Sequence, residues 1–196
     1  AYVLAKIAQE REALAAARRL GVEIVFACPT MSVGPFGASL GPSNAILTSY
    51  LADPLRMTWA GGCNIVSVRD VAAGHIMLAR HGAAGARYVL GSENLEWRDI
   101  HAMVAELSGV GAPRTTASAV ACYGLAAAEE LRARVTGKAP LATRAQARMV
   151  GRYYWYDHRR VGALGYRPRP AREALAEALA WLSPSPHISR ETRTGM

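Results

Sequence analysis

The sequence predicts an α/β fold: part of a doubly wound parallel sheet joined to a smaller, mostly helical lobe. Three observations carry this expectation. A helical stretch over 2–20 leads through Gly21 into the apolar run Val22-Glu23-Ile24-Val25-Phe26-Ala27-Cys28. Two more short β-type segments, 64–68 and 87–90, alternate with helical ones. Beyond residue 93 the pattern is almost wholly helical. Strands that alternate with helices build a parallel sheet covered on both faces, so its strands read as continuous apolar runs.

Taken in order, residues 2–20 form a helix because Val3, Ile7 and Leu14 share a face and the middle is rich in Ala. Gly21 is its stop. The run 22–28 is expected as a strand buried on both faces and ended by Pro29. Residues 30–44, rich in Gly, Pro and Ser, read as a loop at the carboxyl end of that strand, where open α/β sheets place ligands. A short helix is expected over 44–52. Asn64-Ile65-Val66-Ser67-Val68 is a strand, and Asp70 the cap of a helix running to about Arg80. Arg87-Tyr88-Val89-Leu90 is a strand stopped by Gly91. Helices follow over 96–108, 117–135, 143–150 and 171–182. Between the last two, Leu164-Gly165-Tyr166-Arg167-Pro168-Arg169-Pro170 is a rigid extended turn. From Ser183 onward the chain is polar and is expected to be a disordered tail. There is no internal repeat. The chain opens within a helix and without an initiator Met, so it is expected to be a fragment or a trimmed piece.

Just over half of the residues are apolar, which excludes a disordered composition. No apolar run approaches the ~20 residues of a membrane span, and no signal pattern stands at the front. Cys28, Cys63 and Cys122 are isolated thiols, which fits a reducing, cytoplasmic setting, and the five histidines do not fall at metal-ligand spacings near them, so no metal is expected. The net charge of +8 comes mostly from scattered arginines. It reads as a solvated surface, or more sharply as attraction for an anionic ligand, and without a binding motif it does not indicate nucleic acid.

The chemistry is expected at Tyr2 and Lys6. Four residues apart on a helix, they lie one turn from each other. A free phenol, with a pKa near ~10, is a poor base at neutral pH. A neighbouring ammonium favours the phenolate. Bringing the phenol to about 7 requires roughly 4 kcal/mol. Tyr153-Tyr154-Trp155-Tyr156 is expected to pack between helices of the lobe, with pocket walls as the alternative. Met31 and Phe36 stand where a pocket mouth would be, or merely cover the core. His75 and His81 are read as structural or surface residues.

The order Tyr2-x-x-x-Lys6, helix, strand, Pro29-Thr30-x-x-Val33-Gly34-Pro35 resembles the extended short-chain dehydrogenase/reductases, the NAD-dependent epimerase/dehydratase family. Asn64-Ile65-Val66-Ser67-Val68-Arg69-Asp70-Val71-Ala72, Tyr88-Val89-Leu90-Gly91 and Leu164-Gly165-Tyr166-x-Pro168 are similar to later motifs of that family, in its order. The pattern is nearest to its hopanoid-associated sugar epimerases and dihydroflavonol-reductase-like members. The resemblance implies the carboxy-terminal part of a Rossmann-like sheet plus a helical substrate-binding lobe. It implies 1–39, with 64–92 returning, for the cofactor domain, 40–63 and 93–182 for the lobe, and 183–196 for the tail. It implies NAD or NADP as cofactor, Tyr2 as general acid/base and Lys6 as its electrostatic partner and ribose contact. Pro29, Thr30, Met31 and Ser32 would lie along the nicotinamide. The partner implied is a small-molecule substrate, with room for a homodimer and with no nucleic acid or membrane span.

The chain departs from the family in three places. Cys63-Asn64 stands where nucleotide-sugar epimerases carry an Arg for the substrate diphosphate, which argues against such a substrate. Ser67 and Arg69 replace the usual His and Asp. The Gly-rich pyrophosphate turn and the Ser or Thr that orients the substrate are expected upstream of Tyr2. Three readings stand: an oxidoreductase or epimerase of this family, a truncated non-catalytic member acting only in binding or regulation, and a basic nucleic-acid-binding module. The second carries the expectation that the 196 residues alone are unstable or aggregate.

Overall fold

A computed structural model gives the architecture and describes residues 2–137, 140 and 142–185. Helix α1 (Tyr2–Leu20) ends on Gly21, whose φ of 67° is the left-handed stop expected there. Strand β1 (Phe26–Pro29) follows, and Thr30 separates it from β2 (Met31–Val33). Helix α2 (Pro42–Ala52) carries Pro at its start. Two short strands, β3 (Met57–Trp59) and the fully buried β4 (Gly62–Ser67), lead into α3 (Val68–His81). Then come β5 (Arg87–Leu90), β6 (Glu93–Glu96) and α4 (Trp97–Ser108). The remainder runs β7 (Thr115–Ala117), α5 (Ala119–Thr136), α6 (Arg144–Ala147), β8 (Tyr153–Tyr154), α7 (Arg159–Gly162) and α8 (Ala171–Leu182).

The fold is α/β with parallel pairing, as the sequence predicts, but the strands are divided. β1 pairs in parallel with β5, from Phe26 against Arg87 to Pro29 against Leu90. One residue later the chain changes partner: β2 runs parallel to β4, Met31 against Ile65. β4 also takes β6 antiparallel and β8 parallel, and β3 pairs with β7. Two apolar clusters result. One joins α2, α4 and α8 to β4 through Leu47, Leu51, Ile65, Ile100, Val104, Leu175 and Leu179. The other gathers Leu78, Tyr88, Leu90, Val161 and Tyr166 around β5.

Several expectations are corrected. The strand expected over 22–28 begins at Phe26, where its pairing with β5 starts, and Gly85 N–H holds Ile24 only by a lead-in bond of 2.7 Å to its carbonyl. It is half-buried with Pro29 exposed, not buried on both faces, because among the described residues β5 is its one strand partner. The stretch 30–44 is no continuous loop: it contains β2 and the first three residues of α2. The apolar face of α1 stays open at Val3 (67% exposed) and Ile7 (43%), while Ala17 is buried. Of the aromatic run, Tyr154 packs against the core that α2, α4 and α8 form, and the rest stays largely at the surface. Tyr153 and Tyr154 form an edge strand on β4, and Tyr153 and Trp155 stay about half exposed in an edge-to-face pair 5.1 Å apart. Residues 183–185 close α8 with two backbone bonds of 2.9 Å; the rest of the expected tail lies outside the described residues.

Asp70 is not the cap of α3. Ser67 caps it, its Oγ accepting from Arg69 N–H at 3.2 Å. Asp70, buried in the first turn, instead accepts from the backbone N–H and the Nε of Arg169, at 2.9 and 3.1 Å. Arg169 and Arg69 both reach Glu177 at 3.0 Å. The extended turn 164–170 is thereby tied to α3 and α8. Asp70→Ala leaves Arg169 Nε and its backbone N–H without their acceptor, with Glu177 still holding the guanidinium, and is expected to cost about 1–3 kcal/mol in urea unfolding.

Candidate functional site

The change of partner at Thr30 sets up the candidate site. A strand that pairs with β5 and then with β4 must leave a polar backbone junction inside the sheet, and buried polar groups need partners. Thr30 N–H donates to Leu90 O at 3.1 Å. Its hydroxyl donates to Oδ1 of Asn64 at 2.8 Å. Asn64, only 1% exposed in the middle of β4, also accepts from Ser92 N–H at 3.0 Å and donates to Oδ1 of Asn94 at 2.8 Å. Asn94 in turn grips the backbone of Tyr156 twice, accepting from its N–H at 3.0 Å and donating to its carbonyl at 3.1 Å. Gly91 makes room for this: a Cβ there would stand 2.3 Å from Asn64 Oδ1 and 3.1 Å from Thr30 Cγ2.

Of the six expected site residues, Pro29, Thr30, Met31 and Ser32 come together in this junction at the carboxyl ends of β1 and β5. Pro29 is exposed, and Thr30, Met31 and Ser32 are half-buried. Ser32 Oγ donates back to Thr30 O at 3.3 Å. Met31 Sδ lies 3.4 Å from the thiol of Cys63. Burial pushes that thiol up to about 12, so Cys63 is a neutral, apolar neighbour and not an anion. Beyond β2, Gly34 is held by the Asn44 side chain, which donates to its carbonyl at 2.9 Å. Phe36, in a left-handed conformation with φ 69°, is 75% exposed under the guanidinium of Arg69 at 5.2 Å.

Tyr2 and Lys6 both lie in α1, one turn apart. Lys6 is exposed and its Nζ donates to Gln9 Oε1 at 3.2 Å. The Tyr2 side chain lies outside the described ones. An open cleft of about 320 Å³ between Ala17, Val22, Ile24 and Gly85 sits at the entry ends of β1 and β5, the end of the strands away from Thr30.

Two features escaped the sequence reading. Asn64 stands in a mostly apolar, buried strand, and such a residue demands a buried partner; that was its signal. His101 belongs with Trp97, Ala105 and Ser108 on a buried helical stripe. It is fully buried, stacked on Tyr50 at 4.5 Å and edge-on to Trp59 at 4.9 Å. Nδ1 meets Thr58 Oγ1 at 3.0 Å, and Nε2 finds no hydrogen-bond partner among the described residues. Burial pulls its pKa down to about 4, against a smaller upward pull from Asp53. Among the described residues no three His, Cys, Asp or Glu side chains gather as a metal-binding group, and no helix is long and apolar enough to cross a membrane.

These features define a class: a Rossmann-like α/β arrangement of parallel strands and helices, with a polar junction where strands end. No family model matches the chain. Individual proteins do. The chain is 31% identical over 186 residues to a putative dihydroflavonol 4-reductase of Synechocystis, covering 92% of this chain and 54% of that protein. It superposes on a nucleoside-diphosphate-sugar epimerase from Pseudomonas aeruginosa with a TM-score of 0.74 and 26% identity, covering 96% of this chain and 57% of the other. At 18% identity, which shows the fold alone, it matches the UDP-glucose 4-epimerase of Thermus thermophilus in complex with NAD, with a TM-score of 0.65 over 92% of this chain and 53% of that one. It likewise matches a Pseudomonas aeruginosa protein complexed with NADPH, with a TM-score of 0.64 over 93% and 56%. The chain is thus similar to reductases and epimerases of the extended short-chain dehydrogenase/reductase type. It spans about half the length of the relatives it matches.

Proposed function

We propose that this chain supplies the Tyr–Lys helix, the nicotinamide wall and the substrate lobe of an NAD(P)-dependent oxidoreductase or epimerase acting on a sugar or another secondary alcohol or ketone. The observation that carries the reading is the Thr30 junction: an extended backbone at the carboxyl ends of parallel strands, locked from behind by Asn64. Its neighbours in fold hold NAD or NADPH. The residues fit such a group, because the Thr30 side chain is turned into the sheet and engaged there by Asn64, which Gly91 leaves room for. Pro29, Thr30, Met31 and Ser32 would hold the nicotinamide, and Lys6 the adjoining ribose. The dinucleotide, when bound, supplies the hydride acceptor or donor.

The chain's own residues then move the proton. Tyr2 takes the hydroxyl proton from the substrate carbinol, or returns it to a carbonyl oxygen. Lys6, one turn along α1, favours the phenolate by its charge. Cys63 offers no cation for a substrate diphosphate, and its buried neutral thiol supports a substrate gripped elsewhere than at this position. We further propose that 1–39 with 64–92 serve the cofactor, that 40–63 and 93–182 serve the substrate, and that the protein works in the cytoplasm.

Titrating the full-length protein with NADH and NADPH, followed by nicotinamide fluorescence, tests this reading. Saturable binding of one or both is expected, weakened about tenfold by Lys6→Ala, the equivalent of ~1.4 kcal/mol. Absence of binding to either dinucleotide would remove the proposal.

A further inference from the structure

The hydrogen bonds around Asn64 have only one self-consistent direction. Ser92 N–H is solely a donor, so the Asn64 atom 3.0 Å from it is the amide oxygen. That oxygen also receives the Thr30 hydroxyl, which leaves the Asn64 amide nitrogen to face Asn94. The Asn94 atom meeting it is therefore an oxygen. The same oxygen accepts Tyr156 N–H, and the remaining Asn94 nitrogen donates to Tyr156 O. Reversing either amide would set donors against donors along the whole chain of bonds. Thr30, Asn64, Asn94 and Tyr156 thus form one directed relay of side-chain amides, from the β1–β2 junction to the aromatic segment after β8.

The relay spans two parts of the molecule that backbone pairing joins only loosely. β8 is two residues long and pairs with β4 at Gly62 and Cys63 alone. Past Tyr154 the chain has left that pairing. Asn94 grips Tyr156 on both its N–H and its carbonyl, as a strand neighbour would. The Tyr156 side chain is 46% exposed beside it. Asn64 is buried in β4 and bonded to Thr30, Ser92 and Asn94, whereas Asn94 is exposed.

We infer that Asn64 and Asn94 are positioning residues that hold the Tyr153–Tyr156 segment in register with the Thr30 wall, so that occupation of that wall by a dinucleotide also orders the aromatic segment. The inference rests on the function proposed above, and it names the coupling between the two sides of the same site. A ligand that tightens Thr30 tightens, through the same bonds, the Tyr156 backbone; the effect is a linkage and runs equally in reverse.

Hydrogen–deuterium exchange of the full-length protein with and without NADH tests this. In the wild type, NADH is expected to slow exchange at Tyr156 N–H by about tenfold or more, a coupling of ordinary size for linked sites. In Asn94→Ala, at an exposed position, exchange at Tyr156 should be fast with or without NADH, while NADH still binds, weakened by no more than about the tenfold coupling that is lost, and the urea midpoint stays as in the wild type. Asn94→Asp keeps both acceptor contacts, so it should recover part of the protection; a role in stability alone predicts no such rescue. Asn64→Asp keeps the acceptor for Thr30 and Ser92 but loses the donor to Asn94, and should uncouple the segment in the same way. NADH binding that leaves Tyr156 exchange unchanged in the wild type would overturn the relay and leave the proposed function standing. Absence of NADH binding in the wild type would overturn both.

Discussion

Tyr2→Phe is expected to lower turnover of the full-length protein by about 10²–10⁴-fold, with NADH affinity nearly unchanged. The range is that of a positioned general acid or base removed from a proton transfer. The substitution deletes one oxygen and keeps the ring, so packing and helix propensity at the start of α1 are preserved. The proton of the substrate hydroxyl then has no acceptor as hydride leaves its carbon. Following nicotinamide absorbance reads the loss directly. Turnover equal to the wild type would remove Tyr2 from the mechanism.

The second large effect is on stability and comes from His101. Its ordinary pKa of 6.5 falls to about 4 in the folded chain, because the ring is enclosed by Tyr50, Trp59 and Trp97. Between those two values the unfolded chain binds a proton that the folded chain refuses. Stability therefore falls as pH drops from about 6.5 towards 4, and is fully present above 6.5. At ~1.4 kcal/mol per pH unit the loss approaches about 3 kcal/mol. His101→Phe retains a flat ring against Tyr50 and removes the titration. Its urea midpoint should fall less than that of the wild type between pH 7 and pH 4.5. Parallel loss in the two proteins would show that His101 carries no such linkage.

Much of the fold was legible because it rests on local chemistry. Gly21, Gly91 and Gly109 mark ends of elements, and Gly21 and Gly109 do so with positive φ. The helices over α1, α3, α4 and α8 follow from periodicity and Ala content. The short strands were not legible, since their identity lies in their partners. Glu93-Asn94-Leu95-Glu96 carries no apolar run and is a strand only because it lies antiparallel to β4. Met31-Ser32-Val33 sits in a Gly- and Pro-rich context and is a strand because Ile65-Val66-Ser67 runs beside it.

The candidate site divides in the same way. Pro29 to Ser32 were legible from a strand ended by Pro and followed by small residues. Asp70 looked like a cap because Asp is a good one, but Ser67 stands three residues earlier and already serves, which frees the carboxylate for Arg169. Asn64 was visible as a polar residue in a buried run, yet its partners Thr30, Ser92 and Asn94 are each 28 or more residues away in sequence. No local pattern names them.

The Tyr2 phenol, the Lys6 ammonium and the Thr30 wall are expected to meet around one nicotinamide. A crystal structure of the full-length protein with NAD⁺ or NADP⁺ bound measures this most directly. The expected result has Lys6 Nζ within about 3 Å of the ribose hydroxyls, Tyr2 Oη aimed at the face where hydride is exchanged, and the Pro29–Ser32 backbone along the nicotinamide ring. A dinucleotide seated elsewhere, or a phenol and ammonium turned away from it, would contradict the account.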